Sequence, residues 1–87
     1  MERNMQMIEK DVNDAFKALL MESQVVCDWK MSNEKEFEEA KRETIKNCFL
    51  FRNSKDYDPL SEAVYVLHFY GCVLDNDILF DDDGEVV

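Results

Sequence analysis

Residues 58–71 read DPLSEAVYVLHFYG, and the choice between helix and strand here separates an all-helical chain from a mixed one. Asp58 has the short carboxylate of an N-cap, and Pro59 suits the first helical position, where a missing N–H costs nothing. Gly71 fits the C′ position that closes a helix with a positive φ. Between them, Leu60, Ala63, Val64, Leu67 and Tyr70 share one helical face. Tyr65, Val66 and Phe69 make the other faces apolar as well, so the alternative is a buried strand over residues 63–74. Two boundary signals and the length favour a helix over 59–70, central and buried.

Upstream, Asn33 stands three residues before Glu36, the spacing of a capping box. Glu34, Glu36, Glu38 and Glu39 crowd the start of that segment, where the helix dipole favours negative charge. Phe37, Ala40, Thr44, Ile45, Cys48, Phe49 and either Leu50 or Phe51 form its apolar face, which predicts a helix over 34–53. Further upstream, Met5, Ile8, Val12, Ala15, Phe16, Leu19 and Leu20 recur at steps of three and four. This predicts a helix over about 4–29. The adjacent β-branched pair Val25-Val26 also allows it to end near Ser23.

Downstream, Ile78-Leu79-Phe80 and Glu85-Val86-Val87 flank Asp81-Asp82-Asp83-Gly84, a loop whose last residue suits a hairpin. The fold class expected is mainly α: a single domain of three helices (4–29, 34–53 and 59–70). A short acidic C-terminal β-hairpin or irregular tail completes it over 72–87. Two glycines and one proline in 87 residues are too few breakers for an all-β fold with many tight turns.

The chain is 46% apolar and 34% charged, a globular composition. Twenty acids against ten bases give a formal net charge of −10. Bare nucleic acid and anionic membrane surfaces are therefore not expected as direct partners, because the net Coulomb term is repulsive. Cys27, Cys48 and Cys72 are odd in number and widely spaced, which argues against a secreted disulfide scaffold. The N-terminal residues lack a basic flank and an apolar core of signal-peptide type. A cytoplasmic, reduced protein is expected.

The charge is unevenly spread. Residues 1–30 carry six acids and four bases, residues 31–55 five acids and six bases, and residues 56–87 nine acids and no base. Concentrating like charge raises self-repulsion, and solubility alone does not require it. The candidate partner-binding residues are therefore Asp56, Tyr57, Asp58, Asp75, Asp77, Asp81, Asp82, Asp83 and Glu85. Tyr57, between two aspartates, reads as an exposed aromatic anchor. Phe37, Phe49, Phe51, Tyr65, Phe69 and Tyr70 mostly fall at core-compatible positions. Glu36, Glu39 and Glu43 share one face of the second helix and read as a solvated stripe.

Other chemistries are poorly supported. Asp81, Asp83 and Gly84 share part of the pattern of an EF-hand loop, but its first ligand position falls on Leu79 and its twelfth beyond Val87. His68 and Cys72 have helical i,i+4 spacing, yet zinc ligands come in close pairs, and a buried, hydrogen-bonded His68 with three apolar thiols is the simpler reading. No glycine-rich elbow or phosphate loop is present. No cofactor, metal or catalytic residue is expected, and the chain does not read as an enzyme.

In its profile of one small, strongly acidic, motif-poor domain, the chain resembles small phage inhibitors of host nucleases, DNA mimics among them, and nuclease immunity proteins. That resemblance rests on composition and carries no site residue. It implies a stoichiometric inhibitor whose partner is a basic protein surface, such as a nuclease or another nucleic-acid-binding protein. The alternative is a helical assembly subunit forming a homodimer or hetero-oligomer through apolar helix faces, with Met1, Met5 and Ile8 as a seam.

Overall fold

The computed structural model describes residues 3–72, which form four helices and no strand. α1 spans Met5–Glu22, α2 Gln24–Ser32, α3 Glu34–Leu50 and α4 Pro59–Phe69. The hairpin expected within residues 72–87 lies outside the described residues, apart from Cys72.

Local chemistry sets each boundary. Asn4 Oδ1 accepts from the Met7 N–H at 2.9 Å and caps α1. Ser23 then does two jobs from one extended residue. Its N–H donates to the Leu19 carbonyl at 2.8 Å and closes α1, while its hydroxyl accepts from the Val26 N–H at 3.2 Å and opens α2. The single helix expected over 4–29 is therefore two, and the described residues form four helices where three were expected. A short hydroxyl that satisfies a backbone donor competes with a continuous helix.

The capping box expected at Asn33 does not form. Asn33 is the N-cap residue of α3 but makes no side-chain capping bond there. Its Nδ2 donates backwards to the Trp29 carbonyl at 2.9 Å, closing α2 instead. α3 stops at Leu50, three residues short of the expected end, and residues 51–56 turn. Asp58 caps α4 as its sequence predicts, accepting from the Ser61 N–H at 3.3 Å and the Ser61 hydroxyl at 2.8 Å.

Gly71 ends α4 at φ +101°. The Cys72 N–H donates to Leu67 and the Gly71 N–H to His68, at 2.9 and 3.0 Å, the paired bonds of a Schellman motif. Residues 63–72 are thus helix and cap, and the strand alternative fails there.

The core lies where α1, α3 and α4 meet, with α2 packed on α1 and α3. Ile8, Val12, Phe16 and Leu19 of α1 face Phe37, Ala40 and Cys48 of α3 and Ala63, Val64, Val66 and Leu67 of α4, all buried. Phe16 meets Phe37 edge to face at 5.3 Å between centroids. Thr44, fully buried on α3, donates its hydroxyl to the Ala40 carbonyl at 2.8 Å, and among the described residues no buried side-chain nitrogen or oxygen lacks a partner.

The sequence predicted a central, buried α4, but the helix is not buried all round. Tyr65 is 58% and Phe69 72% exposed. The reason is topological: among the described residues α4 packs against α1 and α3 only. No described helix covers its third side.

The double cap at Ser23 yields a stability prediction. Ser23→Ala should lower unfolding free energy by about 1 kcal/mol in urea titrations, the typical cost of losing an N-cap. An unchanged midpoint would mean that packing of Val26 alone sets the α1–α2 break.

Candidate protein-interaction surface

The sequence placed an interaction site at Asp56, Tyr57 and Asp58, and the structure divides these neighbours among three tasks. Tyr57 is half-buried rather than an exposed anchor, and it packs against the core. Its hydroxyl donates to Asp11 Oδ2 at 2.8 Å, tying the α3–α4 turn to α1. The Arg3 guanidinium lies 4.0 Å from the Tyr57 ring centroid, and an Arg3 N–H donates to the Arg52 carbonyl. Burial, and then the Asp11 carboxylate, push the Tyr57 hydroxyl well above the usual tyrosine range.

Asp58 is exposed but serves as the α4 cap. Asp56 is exposed, with its backbone N–H held by Ser54 Oγ at 3.0 Å. Asp75, Asp77, Asp81, Asp82, Asp83 and Glu85 lie outside the described residues.

A different surface emerges between α3 and α4. Glu43, Asn47, Tyr65, Val66, Phe69 and Tyr70 line a groove of about 300 Å³. Asn47 Nδ2 donates to Glu62 Oε2 at 3.0 Å, a bond that ties α3 to α4 beside the groove. Tyr65 and Phe69, one turn apart on α4, stack edge to face at 5.1 Å and form an exposed aromatic wall. Among the described residues, Glu43 supplies the one charged lining group.

Sequence reading assigned Tyr65 and Phe69 to the core and Glu43 to a solvated stripe. The available signal was the apolar character of every face of α4, more than so small a bundle has neighbours to cover.

The thiols and the histidine are also placed. Cys48 and Cys72 are buried and Cys27 is half-buried, its Sγ donating to the Leu20 carbonyl at 2.9 Å. His68 is exposed, contrary to the expected buried role, and Cys72 sits past the helix end on the far side of Gly71. The i,i+4 relation between them is therefore lost. Burial pushes the Cys48 thiol up to about 11, helped by the carboxylates of Glu62, Asp11 and Asp58. Among the described residues, no three His, Cys, Asp or Glu side chains gather as metal ligands. No described helix is long and apolar enough to cross a membrane.

Compared with known proteins, the chain matches no family model, no curated protein and no solved structure. The surface is therefore read from its own chemistry.

Two measurements follow. Tyr57→Phe should lower stability by about 1 kcal/mol, since a half-buried hydroxyl bonded to a carboxylate is lost. An unaltered urea midpoint would show that Arg3 and ring packing carry the turn.

The second concerns Cys48. Its pKa is higher in the folded chain than the ordinary 9.0. Its contribution to stability is therefore complete below about pH 9 and is lost as pH rises towards 11. Cys48→Ala should reduce the alkaline fall in stability between those limits by an amount on the order of 1 kcal/mol. An identical pH slope in the variant would rule that assignment out.

Proposed function

We propose that this chain is a non-enzymatic inhibitor that binds a basic, nucleic-acid-binding surface of a protein target. The observation that carries the reading is charge layout. Residues 1–55 hold all ten bases and eleven of the twenty acids, so that part is close to balance, whereas residues 56–87 hold nine acids and no base. An acidic third joined to a near-neutral body steers cationic surfaces towards one part of the molecule and repels nucleic acid.

The exposed Asp56 adds to that reading, and Asp58 keeps a solvent-facing carboxylate while capping α4. Tyr57 enters it as the residue that fixes the turn carrying both, no longer as a contact group.

The test is a nuclease and DNA-binding assay in extract of the native host, with labelled duplex DNA as the readout. The wild-type chain should suppress an activity stoichiometrically at about 50 mM salt and much less at about 300 mM. A variant carrying Asp81→Asn, Asp82→Asn and Asp83→Asn should associate more slowly, with dissociation changed little. Equal suppression by wild type and variant at low salt would remove the acidic segment from the interface.

A second reading, assembly through apolar helix faces, draws on the exposure of Leu50, Phe51, Tyr65 and Phe69. The seam expected from Met1, Met5 and Ile8 does not serve it, because Ile8 is fully buried in the core and Met1 lies outside the described residues. Light scattering separates the readings: inhibition predicts a monomer, and a salt-insensitive dimer at low micromolar concentration supports assembly.

A further inference from the structure

The bundle places its own cations over aromatic rings. Arg3 lies 4.0 Å from the Tyr57 centroid, Arg52 4.1 Å from Phe49, and Lys30 and Lys41 5.1 and 5.7 Å from Phe37. Among the described residues, no cation lies over Tyr65, Phe69 or Tyr70, the three rings beside the α3–α4 groove. Glu43 projects into the same groove, and no described ammonium or guanidinium lies within ion-pair distance of it. Lys46, one turn along α3, is exposed. The groove thus combines aromatic surface with a carboxylate, and the one charged group among its described lining residues is negative.

These are the parts that receive a guanidinium. Its plane stacks on aromatic faces, its fork of N–H donors matches a carboxylate, and it is more weakly hydrated than an ammonium. At about 300 Å³ the groove sits at the lower limit of small-molecule pockets, a size suited to one or two side chains. The chain's net charge of −10 favours a cationic occupant over a second copy of itself.

We propose that the groove between α3 and α4 is a receptor for an arginine side chain of the basic partner. The methylene stem lies along Tyr65, Val66 and Phe69, and the guanidinium donates to Glu43. This rests on the preceding reading that the partner is basic, and adds the short-range contact that distant charge cannot supply.

The test uses the full chain and a defined probe, N-acetyl-Gly-Arg-Gly-amide, followed by two-dimensional amide NMR. A peptide of the same sequence with citrulline for arginine, equal in shape and uncharged, is the control. A third peptide carries lysine. The arginine probe should give saturable shifts at Glu43, Tyr65 and Phe69, with a dissociation constant on the order of millimolar.

Citrulline should bind at least about tenfold more weakly, and lysine detectably more weakly than arginine. Glu43→Gln, which keeps the shape of the groove, should weaken the arginine probe about tenfold, and Phe69→Ala about threefold. The triple Asp81, Asp82 and Asp83 to Asn variant should keep the groove response.

Equal binding of arginine and citrulline, indifference to Glu43→Gln, or no saturable shift overturns the proposal. So do shifts at Tyr65 and Phe69 that grow with protein concentration alone, since a second copy then fills the groove. If this probe fails while extract inhibition stays salt-sensitive, the groove assignment falls and the inhibitor reading stands. If the probe binds while extract activities are untouched, the groove stands and its arginine belongs to a partner outside nucleic-acid chemistry.

Discussion

Among the described residues α4 has two helical neighbours, α1 and α3, and is apolar on more sides than two neighbours can cover. Ala63, Val64, Val66 and Leu67 take the covered sides and join the core. Burying the valines and the leucine contributes roughly 1.5–3 kcal/mol each at full burial, and the alanine less, which fixes how α4 sits. Once those four point inward, Tyr65 and Phe69 are left facing out by helical geometry. The aromatic wall is thus set by the same packing that makes the core, with no separate local cause. α2 cannot relieve it, because Ser23 turns the chain so that α2 lies along α1 and α3, with no contact to α4.

This constraint explains which parts of the fold were legible. Asp58, Pro59 and Gly71 act within one turn of their own positions, so their short-range chemistry announced α4 correctly. The apolar stripes of α1 and α3 were equally visible, as Ile8, Val12, Phe16, Phe37, Ala40 and Cys48 all reach the core. Asn33 misled because an asparagine amide can serve the helix behind it as well as the one ahead, and only geometry chooses. Ser23 was ambiguous because serine breaks a helix only when its hydroxyl finds a donor, here the Val26 N–H. Tyr57 was beyond local reading altogether. Its partner Asp11 is 46 residues away, and two flanking aspartates describe its neighbours in sequence rather than in space.

The candidate site was legible in a different way. Net charge by segment needs no fold, so the acidic third stands whatever the helices do. Burial needs the whole fold, and it moved Tyr57 inward while bringing Tyr65 and Phe69 outward. A helix whose composition is apolar on every face has two outcomes: complete burial in a large protein, or one face left for a partner. Chain length arbitrates between them. A domain of this size buries about 60–65% of its unfolded surface, so a fully enclosed helix was the less economical expectation.

The two surfaces differ in the range over which they act. Charges in water interact over about a Debye length, near 8 Å at physiological salt, so on the proposed reading the acidic third would govern encounter and orientation. The proposed groove contact would act at van der Waals and hydrogen-bond distance, where Tyr65, Phe69 and Glu43 would set dissociation. A surface built only from carboxylates pairs with any cationic patch and loses grip as salt rises. Setting one carboxylate against an aromatic wall makes the contact depend on the shape of the occupant, and a planar guanidinium meets both walls where a compact ammonium meets them less well. The bundle's own cations lie on Tyr57, Phe49 and Phe37, and among the described residues none lies over the rings that line the groove, so these stay open to a cation from outside.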